Sequence, residues 1–159
     1  MNRGWKITNK LLPRIAIGAV TIFAVIQIVP YGRNHTNPAI RQEPAWNTTD
    51  TRALAKRACF DCHSNETQWP WYSNIAPVSW LTQRDTLIGR SKMNFSEWNH
   101  PQTKAEEVQK GDMPLWFYTP IHPSAKLTPP ELQALIAGLQ VTMGEQGEKS
   151  SREPEERER

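Results

Sequence analysis

The longest apolar stretch of the chain is Ile15 to Val29, IAIGAVTIFAVIQIV, bounded by Arg14 and Pro30, with no polar face recurring at helical spacing. As a helix it spans about 22 Å at 1.5 Å per residue, short of a hydrocarbon core of about 30 Å. Extension back through Leu11, Leu12 and Pro13 and forward to Tyr31 gives about 21 residues, with Arg14 able to snorkel. The pattern predicts one N-terminal transmembrane helix within residues 1–31. A signal anchor fits better than a cleaved leader, because Pro-Tyr-Gly-Arg follows the run where a small-x-small site is needed.

Residues 32–42 are polar, with Gly32 and Pro38, and read as an extended linker. The module that follows, residues 43–144, shows helical rather than two-residue periodicity. Asp50 can cap a helix from Thr51 to about Cys59, and Pro77 is placed as an N1 residue for one from Val78 to Arg90. Thr103 to Lys110 is a shorter helix that Gly111 ends. Thr128-Pro-Pro-Glu131 is a capping box, after which Leu132, Leu135, Ile136 and Leu139 repeat at i, i+3, i+4 and i+7 up to Gly144. Residues 145–159 have no apolar side chain and read as a disordered charged tail. The expected fold class is all-α: a small helical domain behind one transmembrane helix.

Length and charge narrow the function. The chain of 159 residues holds one domain of ordinary size. Its net charge of +3 comes from Arg3, Lys6, Lys10 and Arg14 ahead of the apolar run, where no acid balances them. The module itself carries no basic stripe, so no nucleic-acid partner is expected. Basic residues before the helix keep the N-terminus in the cytoplasm and predict a single-pass inner-membrane protein with its module on the periplasmic side. The membrane is then a partner as well.

Both cysteines fall in Cys59-Phe60-Asp61-Cys62-His63. Positions i, i+3 and i+4 share one face of a helical turn, so two thiols and an imidazole can address one flat ligand. C-x-x-C-H is the spacing of covalent haem attachment. Cys59 and Cys62 would bond to the haem, and His63 would be the proximal iron ligand. Zinc would need His35, His100 or His122 as a fourth ligand, a redox dithiol lacks its usual βαβ context, and a disulfide would close too short a loop to be worth much.

For the sixth position, Met113 in Lys110-Gly111-Asp112-Met113-Pro114 is a thioether in a loop pinned by Gly and Pro. His122 is the alternative, and an open position is a third possibility. Met143, near the end of the amphipathic helix, reads as core filler, and Arg84 and Arg90 as solvated helix charges rather than propionate partners. The module holds eleven of the fourteen aromatic residues, which such a small core needs to bury area.

These stretches resemble the membrane-anchored, cytochrome c-like family known as the haem-binding domain. The resemblance is carried by Cys59 to Thr67, by Trp69-Pro70-Trp71-Tyr72-Ser73-Asn74-Ile75-Ala76-Pro77, by Phe95-Ser96-Glu97-Trp98, by Gly111-Asp112-Met113-Pro114, and by His122-Pro123 with Leu127-Thr128. It covers about 100 residues and implies a compact helical domain with one haem c. The function expected is a monohaem cytochrome that transfers single electrons to or from a dehydrogenase, an oxidase or another cytochrome. A haem enzyme or sensor with an exchangeable sixth ligand is the alternative, and a zinc-binding interaction module a more distant one.

Overall fold

The computed structural model describes residues 3–98 and 105–157, with side chains over 11–98 and 106–144. His100, Thr103 and Lys104 lie outside the described residues. The elements are helices: α1 (Arg3–Ile26), α2 (Thr49–Ala58), α3 (Phe60–His63), α4 (Val78–Lys92), α5 (Ala105–Gln109) and α6 (Pro129–Arg157), with short 3-10 turns at Trp71–Asn74 and Pro123–Ala125. Among the described residues the one extended pairing is an isolated bridge between Gln42 and Glu97. The all-α expectation holds.

The transmembrane expectation does not. No helix among the described residues is long and apolar enough to cross a membrane. The first half of α1 carries Arg3, Lys6, Lys10 and Arg14, with Pro13 inside it, and the helix stops at Ile26. Its uncharged part, from Ile15, is about 18 Å long against a core of about 30 Å. The extension to Tyr31 fails at Gln27, whose side-chain amide turns back to donate to the Phe23 carbonyl at 3.1 Å. The single-pass inner-membrane placement, with the module on the periplasmic side, rested on that span and falls with it.

The chain forms two compact units. The first comprises residues 1–36 and 69–85. In it Gln27 donates to the Ala76 carbonyl at 2.9 Å and accepts from the Ala76 amide at 3.0 Å. His35 stacks on Trp69 with centroids 4.7 Å apart and shares a 2.9 Å bond with the Ser73 hydroxyl. Gly32 has φ +81, and a Cβ there would fall on the Ser79 carbonyl oxygen. This start of the expected linker is therefore a docked turn.

The second unit comprises residues 37–68 and 86–159 and carries the hydrophobic core. Thr48, not Asp50, caps α2: its backbone is extended and its hydroxyl accepts from the Thr51 amide at 3.1 Å. Asp50 sits instead in the first turn, where a carboxylate favours the helix dipole. The capping box of α6 forms as expected, Glu131 accepting from the Thr128 amide at 2.8 Å. That helix runs past Gly144 to Arg157. Ala55 of α2, Phe60 of α3, and Leu135, Leu139 and Met143 of α6 close on Phe95, Trp98 and Val108. The Thr51 side chain of α2 packs on α6 at Gly138, where a Cβ would fall on the Thr51 hydroxyl.

Candidate functional site

The Cys-x-x-Cys-His segment sits where α2 breaks and re-forms. Cys59, with φ −125 and ψ −32, ends α2 by donating to the Ala55 carbonyl at 2.8 Å. One further turn follows as α3, because the amides of Cys62 and His63 both return to the Cys59 carbonyl, at 3.2 and 2.9 Å. Phe60 anchors this turn. It is 1% exposed, and its ring lies 5.4 Å from Phe95 and 6.2 Å from Trp46. Ser64 then leaves the helix in an extended conformation and caps it, its hydroxyl donating to the Phe60 carbonyl at 2.8 Å.

Neither cysteine takes part in a disulfide. Part of Cys59 reaches solvent, but burial of its sulfur, with Cys62 beside it, pushes its pKa up to about 12. It is a neutral thiol at physiological pH. Burial also lowers the pKa of His63, with the Met93 and Gly89 carbonyls partly offsetting it. The Nδ1 atom of His63 lies 3.1 Å from the Met93 carbonyl oxygen. A carbonyl can only accept, so Nδ1 carries the proton and Nε2 keeps its lone pair. A neutral imidazole in this tautomer is a prepared metal ligand.

The site is backed by residues for which the motif gives no signal. Gly89 of α4 packs directly on the motif turn: a Cβ there would fall on the Cys62 carbonyl oxygen and lie 3.0 Å from the Cys62 Cβ. Arg90 follows, and its guanidinium donates to the Ser64 carbonyl at 2.8 Å, the Thr67 hydroxyl at 2.9 Å and the Asn37 amide oxygen at 2.9 Å. It is a clamp on the loop after the motif rather than a solvated charge, whereas Arg84 is exposed beside Asp85. Asn65 is buried, donating to the Ala39 carbonyl and Glu97 and accepting from Asn94. Asp61, between the two cysteines, accepts from the Gln68 amide at 2.9 Å and from the Tyr118 hydroxyl at 2.6 Å.

The expected sixth ligands are placed differently from one another. Gly111, with φ +80, closes α5, and the Met113 amide returns to the Glu107 carbonyl at 3.2 Å. Met113 is partly buried and packs against the core that holds Phe60, as do Met93 and Cys59. The His122 ring stacks on Tyr118 with centroids 3.9 Å apart, and its Nδ1 meets the Tyr118 carbonyl at 3.0 Å. Met143, 2% exposed, is core filler as expected. Among the described residues no group of three or more His, Cys, Asp or Glu side chains is placed to hold a metal ion, so the zinc reading gains no support from the described geometry.

A family model described as a haem-binding domain matches residues 21–141, about three quarters of the chain. No curated protein and no solved structure matches it.

Proposed function

The chain belongs to the haem-binding domain family, and from that premise we propose that it is a monohaem c-type cytochrome carrying one electron at a time between protein partners. The observation that carries this reading is the state of His63. Burial disfavours its charged form, its Nδ1 lies against the Met93 carbonyl oxygen, and it shares one helical turn with Cys59 and Cys62. This donor set fits the group. Cys59 and Cys62 would hold the haem through thioether bonds, and His63 and Met113 would ligate its iron. Haem supplies an iron that alternates between the ferrous and ferric states.

The protein's part is to bind, orient and keep dry. The Met93 carbonyl fixes the ring of His63, and a hydrogen bond from Nδ1 raises the basicity of the ligating nitrogen. A methionine opposite it would raise the potential relative to a second histidine. Phe60, Phe95 and Trp98 exclude water behind the motif turn. A dehydrogenase, an oxidase or another cytochrome would be a fitting partner.

The test is protein made with the cytochrome c maturation machinery. Acidified organic solvent should leave the haem on the chain, and the pyridine haemochrome should report saturated vinyl positions. Cys59→Ala with Cys62→Ala should release it. Haem that extracts from the unaltered chain, or a ferric spectrum that Met113→Ala leaves unchanged, would overturn the covalent attachment or the ligand assignment respectively. Rapid binding of carbon monoxide or cyanide to the resting protein would instead indicate an exchangeable sixth position.

A further inference from the structure

We propose that Tyr118 is a positioning residue: its bond to Asp61 fastens the 111–122 segment to the motif turn and so keeps the Met113 thioether on the haem iron. The inference rests on the reading of Met113 as the sixth ligand. Asp61 lies between the two cysteines in sequence, and both of its oxygens are used. One accepts from the Gln68 amide at 2.9 Å, and the other from the Tyr118 hydroxyl at 2.6 Å. A bond this short between a hydroxyl and a carboxylate is among the stronger hydrogen bonds a protein makes.

The segment between Met113 and Tyr118 is short and folded into turns. The Tyr118 amide returns to the Leu115 carbonyl at 2.9 Å, and the Tyr118 carbonyl receives the amides of Ile121 and His122 at 3.2 and 3.1 Å. At one end the Met113 amide bonds the Glu107 carbonyl, and beyond the other Arg57 donates to the Ser124 carbonyl at 3.0 Å. Trp116, by contrast, is 82% exposed. His122 has a part in the same device: stacked on Tyr118 at 3.9 Å and bonded to its carbonyl, it holds the phenol ring in the orientation that reaches Asp61. That assigns the histidine of the sequence's alternative ligand pair to supporting the methionine.

The experiment is a double-mutant cycle on the ferric holoprotein, with imidazole as the probe, in the unaltered chain, Tyr118→Phe, Met113→Ala and the double variant. Imidazole reaches the iron only when the thioether is off, so its apparent affinity scales with the open fraction. Loss of a hydrogen bond to a carboxylate should raise that affinity by about tenfold in Tyr118→Phe. The sulfur-to-iron charge-transfer absorption should weaken in parallel, and Tyr118→Phe should add nothing once Met113 is alanine. If Met113→Ala raises imidazole affinity and Tyr118→Phe does not, the positioning role is overturned while the ligand assignment stands. An equal rise in both backgrounds also overturns it, since the tyrosine then governs access to the haem in general. If Met113→Ala itself changes nothing, the ligand assignment fails and the positioning role with it. Should Tyr118→Phe not load haem, Asp61→Asn makes the same comparison, and an effect there that does not depend on Met113 overturns the proposal.

Discussion

Replacing Gly89 with alanine adds one methyl group where α4 meets the motif turn. In an open helix interior this change stabilises by about 0.5–1 kcal/mol, because alanine loses less backbone entropy than glycine. Here the new Cβ would fall on the carbonyl oxygen of Cys62, 2.9 Å from its carbonyl carbon and 3.0 Å from its Cβ. The obstacle is mostly backbone and cannot rotate away, so α4 and the turn must separate. Overpacking of this kind costs about 1–3 kcal/mol. The balance is a net loss of about 1 kcal/mol, or a fall of about 3 °C in Tm for a chain of this size. The displacement acts on the carbonyl of Cys62 and, through the bond from the Met93 amide to the Gly89 carbonyl, on the oxygen that receives His63. Haem loading should therefore fall together with Tm. The control is Gly144→Ala in α6, where nothing lies within 4 Å of the new Cβ, and which should gain the ordinary helix increment. Thermal unfolding and haem-to-protein ratio on both variants decide it. A Gly89→Ala protein as stabilised as Gly144→Ala, with full haem content, refutes the close approach.

Arg90→Ala removes the hydrogen bonds to Ser64 and Thr67 in the loop after the motif and to Asn37, and should destabilise by about 2–3 kcal/mol in denaturant unfolding, with Arg90→Lys recovering only a part because one ammonium cannot span these acceptors. Phe60→Ala should cost about 3–5 kcal/mol in the same assay, as expected for a buried aromatic anchor. The hydrogen bond from Arg57, with further bonds from Thr128, holds the Glu131 carboxyl down to about 2 from an ordinary 4.5. Since its folded pKa is depressed, the stability it contributes is complete above about pH 4.5 and is lost as the pH falls toward 2. Arg57→Ala should flatten that part of the stability–pH curve, and added salt should shrink the difference because the pair is exposed.

Local chemistry was legible in the sequence wherever a few neighbouring residues settle it. The capping box at Thr128 and Glu131, the stop at Gly111 and the inward face of Leu135 and Leu139 all follow from short-range rules, and each forms. The cap of α2 was misplaced by two residues, because Thr48 and Asp50 are both competent and only backbone conformation chooses between them. The apolar run of α1 misled for a related reason. Hydropathy registers composition, but the end of the helix is set by Gln27, whose partner Ala76 lies 49 residues away. Of the candidate site, the two thiols and the imidazole were legible as a motif. Gly89, Arg90, Asn65 and Tyr118 were not, since each acts through a partner at least 23 residues distant and none belongs to a spacing rule.

The position of the Met93 carbonyl shows why such distant partners matter to the chemistry. Nothing in the sequence beside Cys62 selects the tautomer that leaves Nε2 unprotonated, and a solvated histidine is partly protonated near neutral pH. Burial against the core disfavours the charged imidazole, yet alone it would not decide which nitrogen carries the remaining proton. The end of α4 supplies what is missing. Carbonyls in the last turn of a helix have no intrahelical donor, and that of Met93, just past the end of α4, accepts the Nδ1 proton of His63. The acceptor at the end of one helix is thus satisfied by the residue whose other nitrogen the proposed ligation would use. This arrangement requires α4 to lie against the motif turn at backbone distance, and Gly89, lacking a Cβ, permits that approach. The proposed ligation by His63 therefore depends on Gly89 and the Met93 carbonyl keeping their places, although neither belongs to the motif.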